Sequence, residues 1–254
     1  IYMRLLFFLF FFSNIILANT IFESNQLNNI DYLKKIKETE KFDFSIYSKN
    51  RIFLMYAYDN ITAGKIDNIK CNKLNFKIHK FNLLIKALKK YDLKFLNKIN
   101  ANYLVLCENL KINNHLAAGF ANSNFSTIII DFSVDKNLIE RAIHHEIFHI
   151  ILSNHKTKLL NENWLKQNKD NFTYKKCKNC NLSYDTKLSY EYQGFLTDYS
   201  KYSLSEDQAE VFSVWMSDIK IVNSLIKNDD ILKNKVNILK NFLDKINFIR
   251  NDEK

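Results

Sequence analysis

KNLIERAIHHEIFHIILS, residues 136–153, is the most regular stretch of the chain. Leu138, Ala142, His145, His149 and Leu152 fall on one helical stripe, and Ile139, Ile143, Ile147 and Ile150 on a second. That spacing predicts a helix buried on much of its girth. His145 and His149 are four residues apart, so a helix carries both imidazoles on one face, as H-E-x-x-H requires for holding a single metal ion. Glu146 is turned about 100° away and reaches a water on the metal rather than the metal itself. With only six histidines in 254 residues, a chance match is a weak rival. Two imidazoles in an apolar stripe are also a costly way to build a core unless something satisfies their nitrogens. His144 lies off the ligand face and reads as incidental to the metal.

A catalytic zinc needs a third protein ligand and an open position. His155 stands six residues after His149, where H-E-x-x-H-x-x-G-x-x-H would place it, and Trp215-Met216 could imitate a Met-turn. That pattern breaks its helix at a glycine, whereas this chain has Leu152, a good helix former. The other candidate is Glu206, in Ser205-Glu206-Asp207-Gln208-Ala209-Glu210. Glu206 and Glu210 share a helix face, so one can ligate while the other hydrogen-bonds a ligand imidazole from behind. Capping by Ser205 with an acidic first turn explains the same cluster without a metal, and capping and ligation are compatible. The geometry favours Glu206 over His155.

Upstream and downstream of these motifs the chain reads as α+β. Strands are predicted at 51–58, 102–107 and 126–132, which are rich in β-branched and aromatic residues. Helices are predicted at 27–41, 80–97, 205–227 and 229–249, and residues 160–200 read as irregular. A small sheet, an active-site helix and a helical C-terminal part follow from that order. Length suits a single domain over 19–254, with its motif-bearing core at about 126–226.

Residues 1–18 resemble a signal peptide: Arg4, the apolar run Leu5–Phe12, and Ala18 before a plausible cleavage point. The run is short for a transmembrane span, so the expectation is a secreted or periplasmic protein with no stable membrane insertion after signal removal. Export would let the four cysteines pair. Cys177 and Cys180 form a C-x-x-C loop, and Cys71 with Cys107 would be the second pair, although the sequence permits three connectivities. The formal charge of +10 comes from scattered lysines. Those at Lys86, Lys89, Lys90 and Lys94 read as a solvated helix face, and no nucleic-acid-binding motif appears.

Four blocks in fixed order carry a family resemblance. They are His145-Glu146-x-x-His149; Trp164 with Asn168-x-x-Asn171-Phe172-Thr173-Tyr174; Gly194-Phe195-Leu196-Thr197-Asp198-Tyr199-Ser200; and Glu206-Asp207-x-Ala209-Glu210-x-Phe212. Over roughly residues 130–216 the chain resembles bacterial zinc metallopeptidases of the gluzincin class, related to the catalytic domain of anthrax lethal factor. The departures are Lys169 and Asn171, where relatives often have Pro and Gly. The resemblance implies a zincin-like fold and one catalytic Zn2+ held by His145, His149 and Glu206. It further implies Glu146 as base, Tyr199 as hydrogen-bond donor to the oxyanion, and Glu210 as support for a ligand imidazole. The expected activity is an endopeptidase hydrolysing protein or peptide substrates through a metal-activated water. The alternatives are a secreted protein that keeps zinc without catalysis, and a protease using His155 as third ligand.

Overall fold

β5 (Tyr103–Ile112) organises the sheet by pairing on both sides along its length. The computed structural model describes residues 33–35, 45–63, 68–75, 78–169, 172–174, 187–189 and 192–251. The first half of β5 lies parallel between β2 (Phe53–Ala57) and β8 (Thr127–Asp131), with Tyr103 opposite Phe53 and Thr127. β1 (Leu33–Lys35) pairs antiparallel with β2, and β7 (Gly119–Asn122) with β8. The second half of β5 takes β4 (Ile69–Asn72) and the two-residue β6 (His115–Leu116), and β3 (Ile61–Ala63) pairs with β4. All five residues of β8 are buried, as expected of a parallel strand covered on both faces.

β8 delivers the chain to α4 (Lys136–Asn154), whose start is fixed by the Asp135 side chain accepting from the Asn137 amide. The Ile139, Ile143, Ile147 and Ile150 stripe is almost wholly buried. It belongs to one core that also takes in Phe148, Trp164, Phe212, Leu239 and Phe248. α6 (Leu204–Ser217) packs along α4, α2 (Ile78–Leu88) touches it from another side, and the five-residue α1 (Ser45–Lys49) lies against β2. The helix α8 (Asp230–Lys245) closes the molecule against α5 (Lys158–Leu165) and α6. The architecture is the expected α+β arrangement of a small mixed sheet and several helices.

Several elements differ from their sequence expectation. Leu33–Lys35, expected within a helix, form β1, where pairing satisfies the backbone groups of the β2 edge. The 80–97 segment is two helices, because Asp92 caps α3 (Leu93–Lys98) by accepting from the Lys94 amide. The 205–227 segment divides at Asp218, which ends α6 and caps α7 (Ile219–Leu225) through the Lys220 and Ile221 amides. α6 itself is capped by Ser203 rather than Ser205. α5 arises inside the segment expected to be irregular, because Leu160 and Trp164, four residues apart, both bury.

Lys90, expected on a solvated face, is buried. It pairs with Glu140 at 2.9 Å and donates to the Met216 carbonyl. Cys71 and Cys107 form a disulfide across β4 and β5, inside a second, smaller core with Ile61, Val105 and Ile129. Residues 1–18, Asn171, Cys177 and Cys180 lie outside the described residues. Among the described residues, no helix is long and apolar enough to cross a membrane.

Candidate metal centre

α4 and α6 run side by side, and their facing stripes bring His145, His149 and Glu206 together. One ligand atom from each lies within 4.8 Å of the other two. His145 Nε2 is 3.0 Å from His149 Nε2 and 2.9 Å from Glu206 Oε2, and His149 Nε2 is 3.4 Å from Glu206 Oε2. Bonds of ~2.1 Å from a tetrahedral ion would space its ligands about 3.4 Å apart. Two imidazole nitrogens and a carboxylate oxygen are also the donors zinc selects. The residues therefore fit a zinc ion in both spacing and chemistry.

The histidine orientation is set from behind. His145 Nδ1 meets Glu210 Oε1 at 3.0 Å, which aims Nε2 at the cluster. The other Glu210 oxygen accepts from Arg141 at 2.7 Å and from the Thr197 hydroxyl at 2.9 Å. Burial opposes charge on Glu210, but the bond with His145 and the Arg141 guanidinium hold its carboxyl below the usual range. Burial likewise works against a charged His145, yet the Glu206 and Glu210 bonds outweigh it and push the pKa well above the ordinary value. Glu206 sits well below its ordinary value because His149 and His145 offset its desolvation.

Glu146 is buried beside the cluster, and desolvation raises its carboxyl despite the two neighbouring imidazoles. Its side chain and all three candidate ligands line a recess of about 560 Å³. Leu138, Ala142 and Leu152, which share the histidine stripe, line it too, so that stripe faces the recess while the isoleucine stripe faces the core. Tyr199, in a short 3-10 turn (Tyr199–Lys201), also lines the recess, with its ring centroid 5.9 Å from that of His145. Tyr202 packs against Tyr199 at 5.7 Å and is not part of the lining.

His155 is not brought to the cluster. α4 continues through Leu152, and the His155 ring donates from Nδ1 to the Ile151 carbonyl and packs on Phe242 in a separate recess. His144 is fully buried off the ligand face, bonded to the Tyr91 hydroxyl at 2.7 Å.

A second buried network meets on Asp207, the residue after Glu206. Asp207 Oδ2 accepts from Lys235 at 2.7 Å, Trp164 at 2.8 Å and Tyr174 at 2.6 Å, and Asn168 donates to the Tyr174 hydroxyl. Lys235 also donates to the Gly194 carbonyl at 2.8 Å. Phe172 and Tyr174 pack on Phe195. Three of the four sequence blocks, spread over residues 164–212, are thus in contact, and with Lys235 they hold the first turn of α6.

The sequence reading missed Arg141 and Thr197, although Arg141 stands four residues before His145 and so shares its face. It also missed Lys235, for which an amphipathic helix gives no local signal. No curated protein and no solved structure matches the chain. Residues 122–251, about half of the chain, match the model of a family described as "Putative zinc-binding metallo-peptidase". The match spans both histidines and all three glutamates of the centre (Glu146, Glu206 and Glu210), and the chain belongs to that family.

Proposed function

We propose that the protein is a secreted or periplasmic zinc endopeptidase of the gluzincin class, related to the lethal-factor catalytic domain. In this reading His145, His149 and Glu206 hold one zinc ion, Glu146 is the general base and Tyr199 donates to the oxyanion. The observation that carries it is the convergence of two imidazoles and Glu206 within 4.8 Å, in a recess that Glu146 also lines. A glutamate as the third donor is what supports the gluzincin assignment.

When bound, zinc acts as a Lewis acid that acidifies water and polarises a carbonyl. Glu146, desolvated and raised, takes the proton from the attacking water and hands it to the leaving amine. Tyr199 stands at the rim of the same recess, where a phenol hydroxyl can stabilise negative charge developing on the carbonyl oxygen. Glu210, held by Arg141 and Thr197, keeps the His145 imidazole aimed. β7 pairs with β8 along one edge, and Gly119, Phe120 and Ala121 line the recess. An extended peptide can add along such a strand, which supports an endopeptidase.

The Cys71–Cys107 disulfide supports export, with residues 1–18 as the signal peptide. A main core whose members run from Tyr47 to Phe248 supports one domain over 19–254. Glu146→Gln tests the reading: the amide cannot accept a proton, so zinc should stay and peptide hydrolysis should vanish. Undiminished hydrolysis by this variant would remove Glu146 as base.

A further inference from the structure

Gly119 lies in β7 opposite Ile130, directly against the Glu146 side chain. Glycine weakens a strand, because it gives up more backbone freedom and offers nothing to pack. The chain spends only three glycines over 254 residues, so one inside a strand calls for a physical reason. Backbone conformation is not that reason, since the φ of Gly119 lies outside the left-handed region, unlike that of Gly194 at 84°. Space is. A Cβ at position 119 would stand 2.6 Å from Glu146 Cγ, 2.8 Å from Oε1 and 3.0 Å from Cδ. Carbon atoms settle at about 3.5–4.0 Å, so even one methyl group cannot coexist with Glu146 where it stands. The inner carbon Cγ is among the atoms in conflict, and Glu146 is itself buried on a packed helix. Relief therefore requires the Glu146 side chain to swing to another rotamer or β7 to move off α4.

We infer that Gly119 is a positioning residue for Glu146: its bare backbone is the wall against which the base lies, and any side chain there drives the carboxylate out of place. The catalytic consequence rests on Glu146 being the base, as proposed above, whereas the steric consequence does not. A misplacement of about 1 Å costs on the order of 10²-fold in rate. Gly119→Ala should therefore lower kcat about 100-fold, with zinc content unchanged and KM within about threefold of wild type.

The decisive readout is a stability cycle on metal-free protein. Gly119→Ala should lower the urea midpoint in the wild-type background. In the Glu146→Ala background, where the conflicting atoms are gone, it should leave the midpoint unchanged or raise it. Equal losses in both backgrounds would overturn the inference, because the methyl group would then be colliding with something other than Glu146. Should Gly119→Ala alone fail to fold, a folded double variant supports the inference and an unfolded one overturns it. A coupled stability cycle together with an active Glu146→Gln would leave the contact standing and fail only the assignment of Glu146 as base.

Discussion

Replacing Lys235 with Met removes one charge from the fully buried pair that anchors the first turn of α6. Met is nearly as long as Lys and apolar, so the main loss is the ammonium that meets Asp207 at 2.7 Å and the Gly194 carbonyl at 2.8 Å. Breaking a buried pair from one side costs about 3–5 kcal/mol. Protonation sets a ceiling on that cost. A carboxyl of ordinary pKa 3.8 can be neutralised at pH 7 for about 4.4 kcal/mol, at roughly 1.36 kcal/mol per pH unit. The expected loss at pH 7 is therefore about 3–4 kcal/mol, a large share of the ~5–15 kcal/mol that holds a domain folded.

The sign of the pH dependence follows from the same argument. Desolvation already raises Asp207, and Lys235 is the strongest influence lowering it, so the variant's folded-state pKa lies further above the unfolded value. A group raised on folding contributes stability that is present below its unfolded pKa and is lost as pH rises through its folded pKa. The variant's deficit should accordingly shrink to about 2 kcal/mol at pH 5. Urea unfolding followed by Trp fluorescence at pH 5 and pH 7, with chelator present for both proteins, measures this. Adding Asp207→Asn should recover most of the pH 7 loss, because the amide keeps acceptors for Trp164 and Tyr174. A deficit under about 1 kcal/mol at pH 7, or one equal at both pH values, would refute the reasoning.

Glu206→Gln should weaken zinc binding sharply while His155→Ala leaves it nearly unchanged, since only Glu206 lies at the cluster. Competition against a chromophoric chelator checks both, and the reverse order would make His155 the ligand. Tyr199→Phe should keep zinc and KM but lose roughly 10²–10³ in kcat, the usual cost of one oxyanion donor. Tyr202→Phe, one turn along and outside the lining, should run at wild-type speed. A slow Tyr202→Phe beside a normal Tyr199→Phe would show that the wrong tyrosine has been assigned.

What the sequence made legible was whatever a single helix encodes. His145 with His149, and Glu206 with Glu210, are each four apart, so helical geometry alone puts each pair on one face. The strand cores at 53–57, 103–107 and 127–131 were visible because apolar residues, aromatic in the first two strands and β-branched in the third, cluster there. What ties α4 and α6 to the rest of the fold was not visible. The contacts of Glu210 with Thr197, Asp207 with Lys235, and Gly119 with Glu146 span gaps of 13, 28 and 27 positions, and no local period encodes them. Lys90 and Lys235 show the same limit. On an amphipathic helix a lysine defaults to solvent, and only a tertiary acceptor, Glu140 or Asp207, reveals that it is buried. The motif blocks around Trp164, Tyr174 and Gly194 gain a physical reason in the structure, since all three reach Asp207 or its partner.

The most direct test of the account is the metal content of the purified protein after dialysis against a weak chelator, measured by mass spectrometry for wild type, His145→Ala and His149→Ala. Loss of an imidazole leaves too few donors for tight binding, so about one zinc per chain is expected in wild type and almost none in either variant. Full zinc retention in both variants, or a zinc-free wild type that takes up no zinc on titration, would contradict the metal centre on which every proposed role rests.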